Sequence, residues 1–273
     1  MSIPPLPPMR DDWRPWAAER GREFAAAVTF LTRMTFLARL KLPRGMPVDE
    51  PPQAELAAAS WAFPLAGIVV GAVGAIVYAI AHRLGATPWV AGALAVAATL
   101  AVTGALHEDG LADTVDGFGG GATREEKLAI MRDARTGAYG VCALILSILI
   151  RVGVLASLAD SGLGAAALIA AHAGGRAAMA PAMFFLQPAR SDGLSFSAGR
   201  PQAMPAIAAA LLAFLVAVLC LGFGRAVEAA IALAILTALV ARLSSRQIGG
   251  QTGDVLGAVE QVCEIAVLLV AMR

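Results

Sequence analysis

The sequence has little charge and few aromatic side chains. Only 15% of its 273 residues are Asp, Glu, Lys or Arg and 6% are aromatic, whereas 58% are hydrophobic. A soluble domain carries about 25% charged and roughly 45–50% apolar residues. The composition therefore excludes a disordered chain, a coiled coil and a collagen-like chain, and it argues against a soluble domain.

Cysteine is also scarce, and neither sign of charge dominates. The three cysteines (Cys142, Cys220 and Cys263) lie in apolar runs without a common spacing, which argues against disulfides and a zinc site. The net charge of +1 gives no sign of the basic face that nucleic-acid binding requires. The motifs of P-loop ATPases and α/β-hydrolases are missing, so neither class is supported.

Long apolar runs are abundant. A bilayer core of about 30 Å needs roughly 20 apolar residues in a helix. Small residues, including 28 glycines, suit close helix packing in lipid. We therefore predict an all-α, polytopic membrane bundle with about seven transmembrane helices, at 60–81, 88–106, 138–158, 163–186, 204–222, 227–243 and 255–272.

The N-terminal part is more polar. Residues 24–42 are apolar but contain basic residues, which predicts an amphipathic helix in the membrane interface. A proline-rich linker is predicted over 43–52. Residues 1–23 lack the apolar region of a signal peptide and are predicted to form a disordered cytoplasmic tail, leaving 24–273 as one membrane-embedded domain.

Basic residues are distributed unevenly between the two sets of loops. One set of loops contains only Arg83 and Arg225. The other set contains the remaining loop Lys and Arg residues, and its loops are 1–59, 107–137, 187–203 and 244–254. Because positive residues mark the cytoplasmic side, this second set is predicted to face the cytoplasm.

An acidic stripe follows the second predicted span. On a helix, Asp109, Asp113 and Asp116 fall within about 60° of one another, so three carboxylates share one face. They repel one another there unless a cation is bound, and Mg²⁺ prefers oxygen ligands shared with substrate phosphates. The stripe predicts a metal site, against the alternative of a solvated acidic loop.

Two further polar stretches are candidate parts of the site. Asp133 lies between Arg132 and Arg135, which fits a metal or phosphate contact or ordinary surface pairing. The stretch 249–254 precedes the last apolar helix, where glycines expose backbone N–H groups to an anion. Its members Gly249, Gly250, Thr252 and Gly253 are candidate substrate contacts, and Asp254 is either a metal ligand or a helix N-cap.

Polar residues within the predicted spans should face the bundle interior, because they are costly in lipid. His172 and Arg176 share a helix face, as do Glu260 and Glu264. Two interpretations stay open: a structural ion pair, or Arg176 binding a substrate phosphate. Arg151 lies deeper, and we predict a structural role for it.

Taken together, three stretches resemble the cobalamin synthase family (adenosylcobinamide-GDP ribazoletransferases). They are EDGLADTVDG at 108–117, IMRDARTGAYG at 130–140 and GGQTGDVLGA at 249–258, and FLTR at 30–33 and FPLAG at 63–67 also fit. The His-Glu-Asp at 107–109 departs from the His-Leu-Asp of the family.

The resemblance implies an enzyme of the bacterial inner membrane with its active site facing the cytoplasm. It would join adenosylcobinamide-GDP to α-ribazole, or α-ribazole 5′-phosphate, and release GMP. A ribose hydroxyl would attack the cobinamide-linked phosphorus with Mg²⁺ as cofactor. Membrane lipid is an expected partner, nucleic acid is not, and a homo-oligomer is left open.

On this interpretation each predicted site residue has a role. Catalytic roles fall to Asp109, Asp113, Asp116 and Asp133. Metal ligation falls to Asp109, Asp113, Asp116 and Asp254. Substrate binding falls to Arg132, Arg135, Arg176, Gly249, Gly250, Thr252 and Gly253.

One alternative is a phospholipid enzyme of the CDP-alcohol phosphotransferase type. Its opening motif matches Asp113-Thr114-Val115-Asp116-Gly117, but the Ala-Arg that should follow is replaced by Gly120-Gly121. A transporter or channel is the other alternative, and its acids should lie mid-span rather than at the end of a span.

Overall fold

The computed structural model describes residues 13–32 and 53–273, and the secondary structure in them is predominantly helical. The predicted all-α fold is confirmed. The helices are α1 (Trp13–Leu31), α2 (Gln53–Ala59), α3 (Phe63–Arg83), α4 (Pro88–Thr103), α5 (Leu106–Gly120), α6 (Arg124–Ile130), α7 (Ala138–Ser157), α8 (Gly164–Phe185), α9 (Leu194–Ala198), α10 (Ala203–Leu221), α11 (Phe223–Ile248) and α12 (Gly253–Ala271).

Several of these helices can cross a membrane, which confirms the predicted polytopic membrane class. Among the described residues, four segments are long and apolar enough: Leu56–Arg83, Ala138–Ser157, Ala203–Leu221 and Phe223–Ile248. The pair α4 and α5 makes a fifth if it forms one broken span. The predicted number of seven is not reached by this criterion, although each predicted span coincides with a helix.

Helices α8 and α12 lie at the centre of the bundle. They are predicted spans that miss the hydropathy and charge criterion for crossing a membrane because they contain polar residues. Helix α8 packs against α3, α10 and α12, and α12 also packs against α5. With 22 residues, α8 is about 33 Å long, enough to cross a bilayer. Its polar side chains reduce its hydropathy, but they face other helices rather than lipid.

Glycines bring α3 against α8. A Cβ on Gly67 would lie 2.2 Å from the carbonyl oxygen of His172, and one on Gly71 would lie 2.7 Å from the Cα of Ile169. The two backbones are in contact at these positions, as expected for small residues at helix interfaces in lipid.

The chain turns sharply between α4 and α5. Gly104 and Ala105 both adopt the left-handed conformation, with φ of 67° and 57°, which ends one helix and starts the next. The axes of α4 and α5 consequently differ by 90°. After this turn the acidic helix α5 packs against α12 and α7.

The N-terminal helix begins earlier than expected. Helix α1 starts at Trp13, so residues 13–23 belong to a helix rather than to the predicted tail. Glu23 is buried and accepts one hydrogen bond from Nε1 of Trp61 at 2.5 Å, and it pairs with Arg20 at 2.8 Å. Residues 1–12, the rest of the predicted interfacial helix and the linker at 43–52 lie outside the described residues.

Candidate active site at the contact between α5 and α12

Helices α5 and α12 touch through two glycines. A Cβ on Gly110 would lie 2.8 Å from the carbonyl oxygen of Asp254 and 3.2 Å from the Cα of Gly257. Any side chain at Gly110 would therefore separate the helices. The contact places Asp109 and Asp113 of α5 beside Asp254 in the first turn of α12.

A cavity of about 130 Å³ lies at this contact. Its charged lining consists of Asp109, Arg190 and Asp254, and its remaining walls come mainly from apolar residues of α1, α8 and α12. We call it the α5–α12 cavity. Two carboxylates and a guanidinium thus face the same small volume.

The acidic residues around the cavity interact electrostatically. The carboxylate of half-buried Asp113 is repelled by those of Asp109, Asp254 and Asp116, and Arg190 is the cation that offsets them. Partial burial strengthens this repulsion because less water screens it. A cation bound among the carboxylates would relieve the repulsion, and oxygen donors of this kind suit Mg²⁺. The carboxylates of Asp109, Asp113 and Asp254 therefore have the chemistry that the predicted Mg²⁺ site requires. Their oxygens are not yet gathered around one point, because the three do not form a group with ligand atoms within 4.8 Å of one another.

Asp116 has a different position from the rest of the stripe. It is buried, and its two carboxylate oxygens accept hydrogen bonds from the backbone N–H groups of Gly137, at 2.7 Å, and Gly140, at 2.9 Å. These N–H groups belong to the start of α7, where intrahelical acceptors are missing. Asp116 thus caps α7, and its share in a metal site stays a prediction.

We expect Asp116→Ala to lower the free energy of unfolding by about 1–2 kcal/mol, because the first turn of α7 loses its cap. Thermal unfolding of the detergent-purified protein measures this. Asp109→Ala is the matched control, since Asp109 is exposed and its replacement should not lower the unfolding temperature. Equal unfolding temperatures for the two variants would contradict the capping role.

Asp133 and its two arginines lie on the surface, outside the cavity lining. Arg135 donates to Asp133 from Nε at 3.0 Å and Nη2 at 2.7 Å. These bonds lower the pKa of Asp133 to about 2, which makes it a weak base. Arg132 binds Asp192 instead, at 2.5 and 2.8 Å. Ordinary surface pairing describes this group, and the predicted catalytic role of Asp133 is not supported.

The glycine-rich stretch mainly shapes the chain. Gly249 ends α11 with a φ of 78°, and a Cβ on Gly250 would lie 2.2 Å from the carbonyl oxygen of Gln187. Thr252, and not Asp254, is the N-cap of α12, accepting from the N–H of Val255 at 3.3 Å. Of the four predicted substrate contacts, Gly253 is the one that lines the cavity.

This packing positions a residue that the sequence did not indicate. Pro188 and Gln251 form an isolated β-bridge, with the N–H of Gln251 donating to Gln187 and that of Ala189 donating to Gln251, both at 2.8 Å. The bridge holds the following residue, Arg190, against the first turn of α12. Nothing in the local sequence around Arg190 marks it as a site residue.

Arg176 lies in a buried polar network rather than at the cavity. Its side chain is 1% exposed, and Nη1 donates to Glu260 at 2.7 Å. The structural ion pair is thus the alternative that is observed, and the contact of Arg176 with substrate stays a prediction. The same network joins Arg151 to Glu108 at 2.9 Å and to Glu264 at 3.2 Å, which confirms the structural role of Arg151.

One triad in this network has metal-ligand geometry. Ligand atoms of His172, Glu260 and Glu264 lie within 4.8 Å of one another, and no other group of three potential ligands among the described residues is this close together. Both carboxylates, however, already pair with the guanidinium groups of Arg176 and Arg151. A further cation there would be repelled, so the triad fits a metal less well than the α5–α12 cavity.

The fold defines a multi-pass membrane protein, and the α5–α12 cavity, lined by acidic residues and glycines, is its candidate site. The family model described as cobalamin-5-phosphate synthase matches residues 23–272, and the chain belongs to this family. The resemblance seen in the sequence is thereby confirmed.

Two relatives are close in sequence, and both are named adenosylcobinamide-GDP ribazoletransferase. The protein of Bradyrhizobium diazoefficiens is 55% identical over 216 residues, which cover 79% of this chain and 83% of that protein. The protein of Mesorhizobium japonicum is 52% identical over 242 residues, covering 87% and 90%. No solved structure matches the chain.

Proposed function

We propose that this chain is an adenosylcobinamide-GDP ribazoletransferase. It joins adenosylcobinamide-GDP to α-ribazole, or to α-ribazole 5′-phosphate, and releases GMP. The observation that carries the proposal is the meeting of Asp109, Asp254 and Arg190 at one cavity, in a family whose relatives have this name.

The reaction exchanges one phosphoester partner for another. The ribose hydroxyl oxygen forms a bond to the phosphorus attached to cobinamide, the bond from that phosphorus to the GMP oxygen breaks, and the hydroxyl proton is released. Such transfer depends on positioning and charge neutralisation more than on a covalent nucleophile. The described cavity lining fits this demand, since it combines carboxylates with a guanidinium.

The carboxylates at and beside the cavity supply both metal ligation and proton acceptance. Asp109, Asp113 and Asp254 would hold Mg²⁺, which when bound neutralises the negative charge of the diphosphate. Asp133 is held in its ion pair with Arg135. The hydroxyl proton would therefore pass to whichever of Asp109 and Asp254 keeps a carboxylate oxygen free of the metal. The backbone at Gly253, at the N-terminus of α12, favours an anion near it.

The size of the cavity limits what enters it. Pockets that enclose whole drug-sized ligands have volumes of roughly 300–1,000 Å³. A cavity of about 130 Å³ holds the reacting groups, so the corrinoid and the nucleoside must lie outside it.

The reaction is tested with detergent-purified protein, adenosylcobinamide-GDP and Mg²⁺. GMP should appear only when α-ribazole is added, in equal amount to the new corrinoid. A parallel reaction with α-ribazole 5′-phosphate identifies the preferred acceptor. Release of GMP at the same rate without an acceptor would indicate hydrolysis and overturn the proposal.

The location that goes with this function is the bacterial inner membrane, with the α5–α12 cavity on the cytoplasmic side. The distribution of Lys and Arg among the loops supports this orientation. Nucleotide substrates and Mg²⁺ are also available on that side.

Cysteine labelling tests the orientation. In a cysteine-free background, Ala122→Cys should react with a membrane-impermeant maleimide only after the cells are permeabilised. Ser161→Cys, at the opposite end of α7, is the matched exposed position and should react in intact cells. The reverse pattern would place the cavity outside the cytoplasm.

A further inference from the structure

Arg190 is a cavity residue whose hydrogen-bonding groups are largely unused. Its side chain is 17% exposed, and its acidic neighbours are Asp254, 3.6 Å from Nη2, and Asp192, 3.7 Å from Nε. Both distances exceed those of hydrogen bonds. Nη1 is buried and has no hydrogen-bond partner among the described residues. A guanidinium so placed can still accept a ligand.

The same residue is the principal positive charge at the cavity. Arg190 acts electrostatically on both Asp113 and Asp254, and it is the only cation in the described charged lining. Without a bound metal, Arg190 therefore performs part of the neutralisation that the carboxylates require.

We propose that Arg190 has two partners in turn: the carboxylates in the metal-free enzyme, and the diphosphate of the substrate once a divalent cation has bound. This inference rests on the proposed function. A cation among the aspartates removes the attraction that holds Arg190 near Asp254. The guanidinium then presents paired N–H donors, whose geometry matches phosphate oxygens.

The surroundings of Arg190 leave it free to exchange partners. Asp192 is bound by Arg132 at 2.5 and 2.8 Å, so it does not hold Arg190 firmly. Gly193 leaves room, because a Cβ there would lie 3.2 Å from Nη2. A longer side chain at that position would press on the guanidinium.

Two ligands should respond in opposite directions when the charge of Arg190 is removed. Arg190→Gln eliminates a competing cation, so Mn²⁺ alone should bind more tightly, on the order of tenfold. GDP in the presence of saturating Mn²⁺ should bind more weakly by a similar factor, since a phosphate contact is lost. A residue needed only for folding would weaken both.

The experiment measures Mn²⁺ binding by electron paramagnetic resonance and GDP binding by equilibrium dialysis, on detergent-purified protein. Arg246→Gln, exposed on α11, is the matched control and should leave both affinities unchanged. Arg190→Lys keeps the charge but lacks the paired donors, so Mn²⁺ affinity should stay at the wild-type value while GDP affinity falls.

The outcomes separate this inference from the proposed function. Loss of Mn²⁺ binding in Asp113→Asn would locate the ion at the proposed site. If Arg190→Gln then binds Mn²⁺ no more tightly than the wild type, Arg190 is not the competing cation and the inference is overturned. If Asp113→Asn has no effect on Mn²⁺ binding, the proposed metal site itself is wrong. Should Arg190→Gln fail to fold, unchanged GDP affinity in Arg190→Lys would overturn the inference.

Discussion

Replacing Asp113 with asparagine should lower turnover at least about a hundredfold at saturating Mg²⁺, the scale of losing one strong contact to developing charge. Asp113 lies among the carboxylates of Asp109, Asp254 and Asp116, so its negative charge strengthens the binding of any cation there. The variant should fold normally, because neutralising one member of a repelling group removes unfavourable energy.

The measurement is the steady-state rate of GMP release in the presence of α-ribazole. Asp160→Asn is the matched control, an exposed carboxylate beyond the other end of α7, and it should retain full activity. Near-full activity of Asp113→Asn at saturating Mg²⁺ would show that the stripe is not the metal site.

The second large effect concerns stability. Arg151→Met should lower the free energy of unfolding by about 3–5 kcal/mol, because the buried carboxylates of Glu108 and Glu264 lose their shared guanidinium. Their remaining polar neighbours, Gln261 and His172, do not replace this fixed positive charge. Arg151 and the two carboxylates are nearly inaccessible, so water cannot compensate for the loss. Thermal unfolding of the purified protein, followed by intrinsic fluorescence, measures the change.

A double variant and a control make this test specific. Adding Glu264→Gln to Arg151→Met removes one of the two carboxylates that lost the guanidinium and should recover part of the lost stability. Arg246→Met, on the exposed face of α11, should unfold like the wild type. An unchanged unfolding temperature for Arg151→Met would mean that the network contributes nothing to stability.

Helix positions were predictable from the sequence because they depend on local periodicity. The apolar runs gave the bounds of α3, α7, α8, α10 and α12 to within a few residues, and the spacing of three aspartates predicted the helix now seen as α5. Helix α1 was missed in part, because its charged residues resemble a solvated tail. A visible sign was the i, i+3 spacing of Arg20 and Glu23, which form an ion pair on the helix.

The partners of polar residues depend on contacts between distant segments, and here the sequence was insufficient. Asp116 shares a helix face with Asp113, but its hydrogen-bond donors are backbone N–H groups 21 and 24 residues further along the chain. Arg176 is 84 residues from its partner Glu260. Helical spacing shows which side chains share a face, but it does not show what that face meets.

Arg190 illustrates the same limit at the cavity itself. It belongs to no motif, and it reaches the cavity because Pro188 pairs with Gln251 across the fold. Gly250 permits that pairing, since any side chain there would collide with Gln187. Two glycines of the glycine-rich stretch therefore have packing roles, Gly249 at the end of α11 and Gly250 beside Gln187, and their contact with substrate stays a prediction.

The most direct test of the metal site is metal-directed backbone cleavage. Fe²⁺ is added to purified protein in place of Mg²⁺, and ascorbate with peroxide then generates radicals that cut the chain near the bound ion. Cuts should map to residues 107–114 of α5 and 252–257 of α12, and Mg²⁺ in excess should suppress them. Cuts at 170–176 of α8, beside His172, would instead place the ion in the buried triad and contradict a metal site at the α5–α12 cavity.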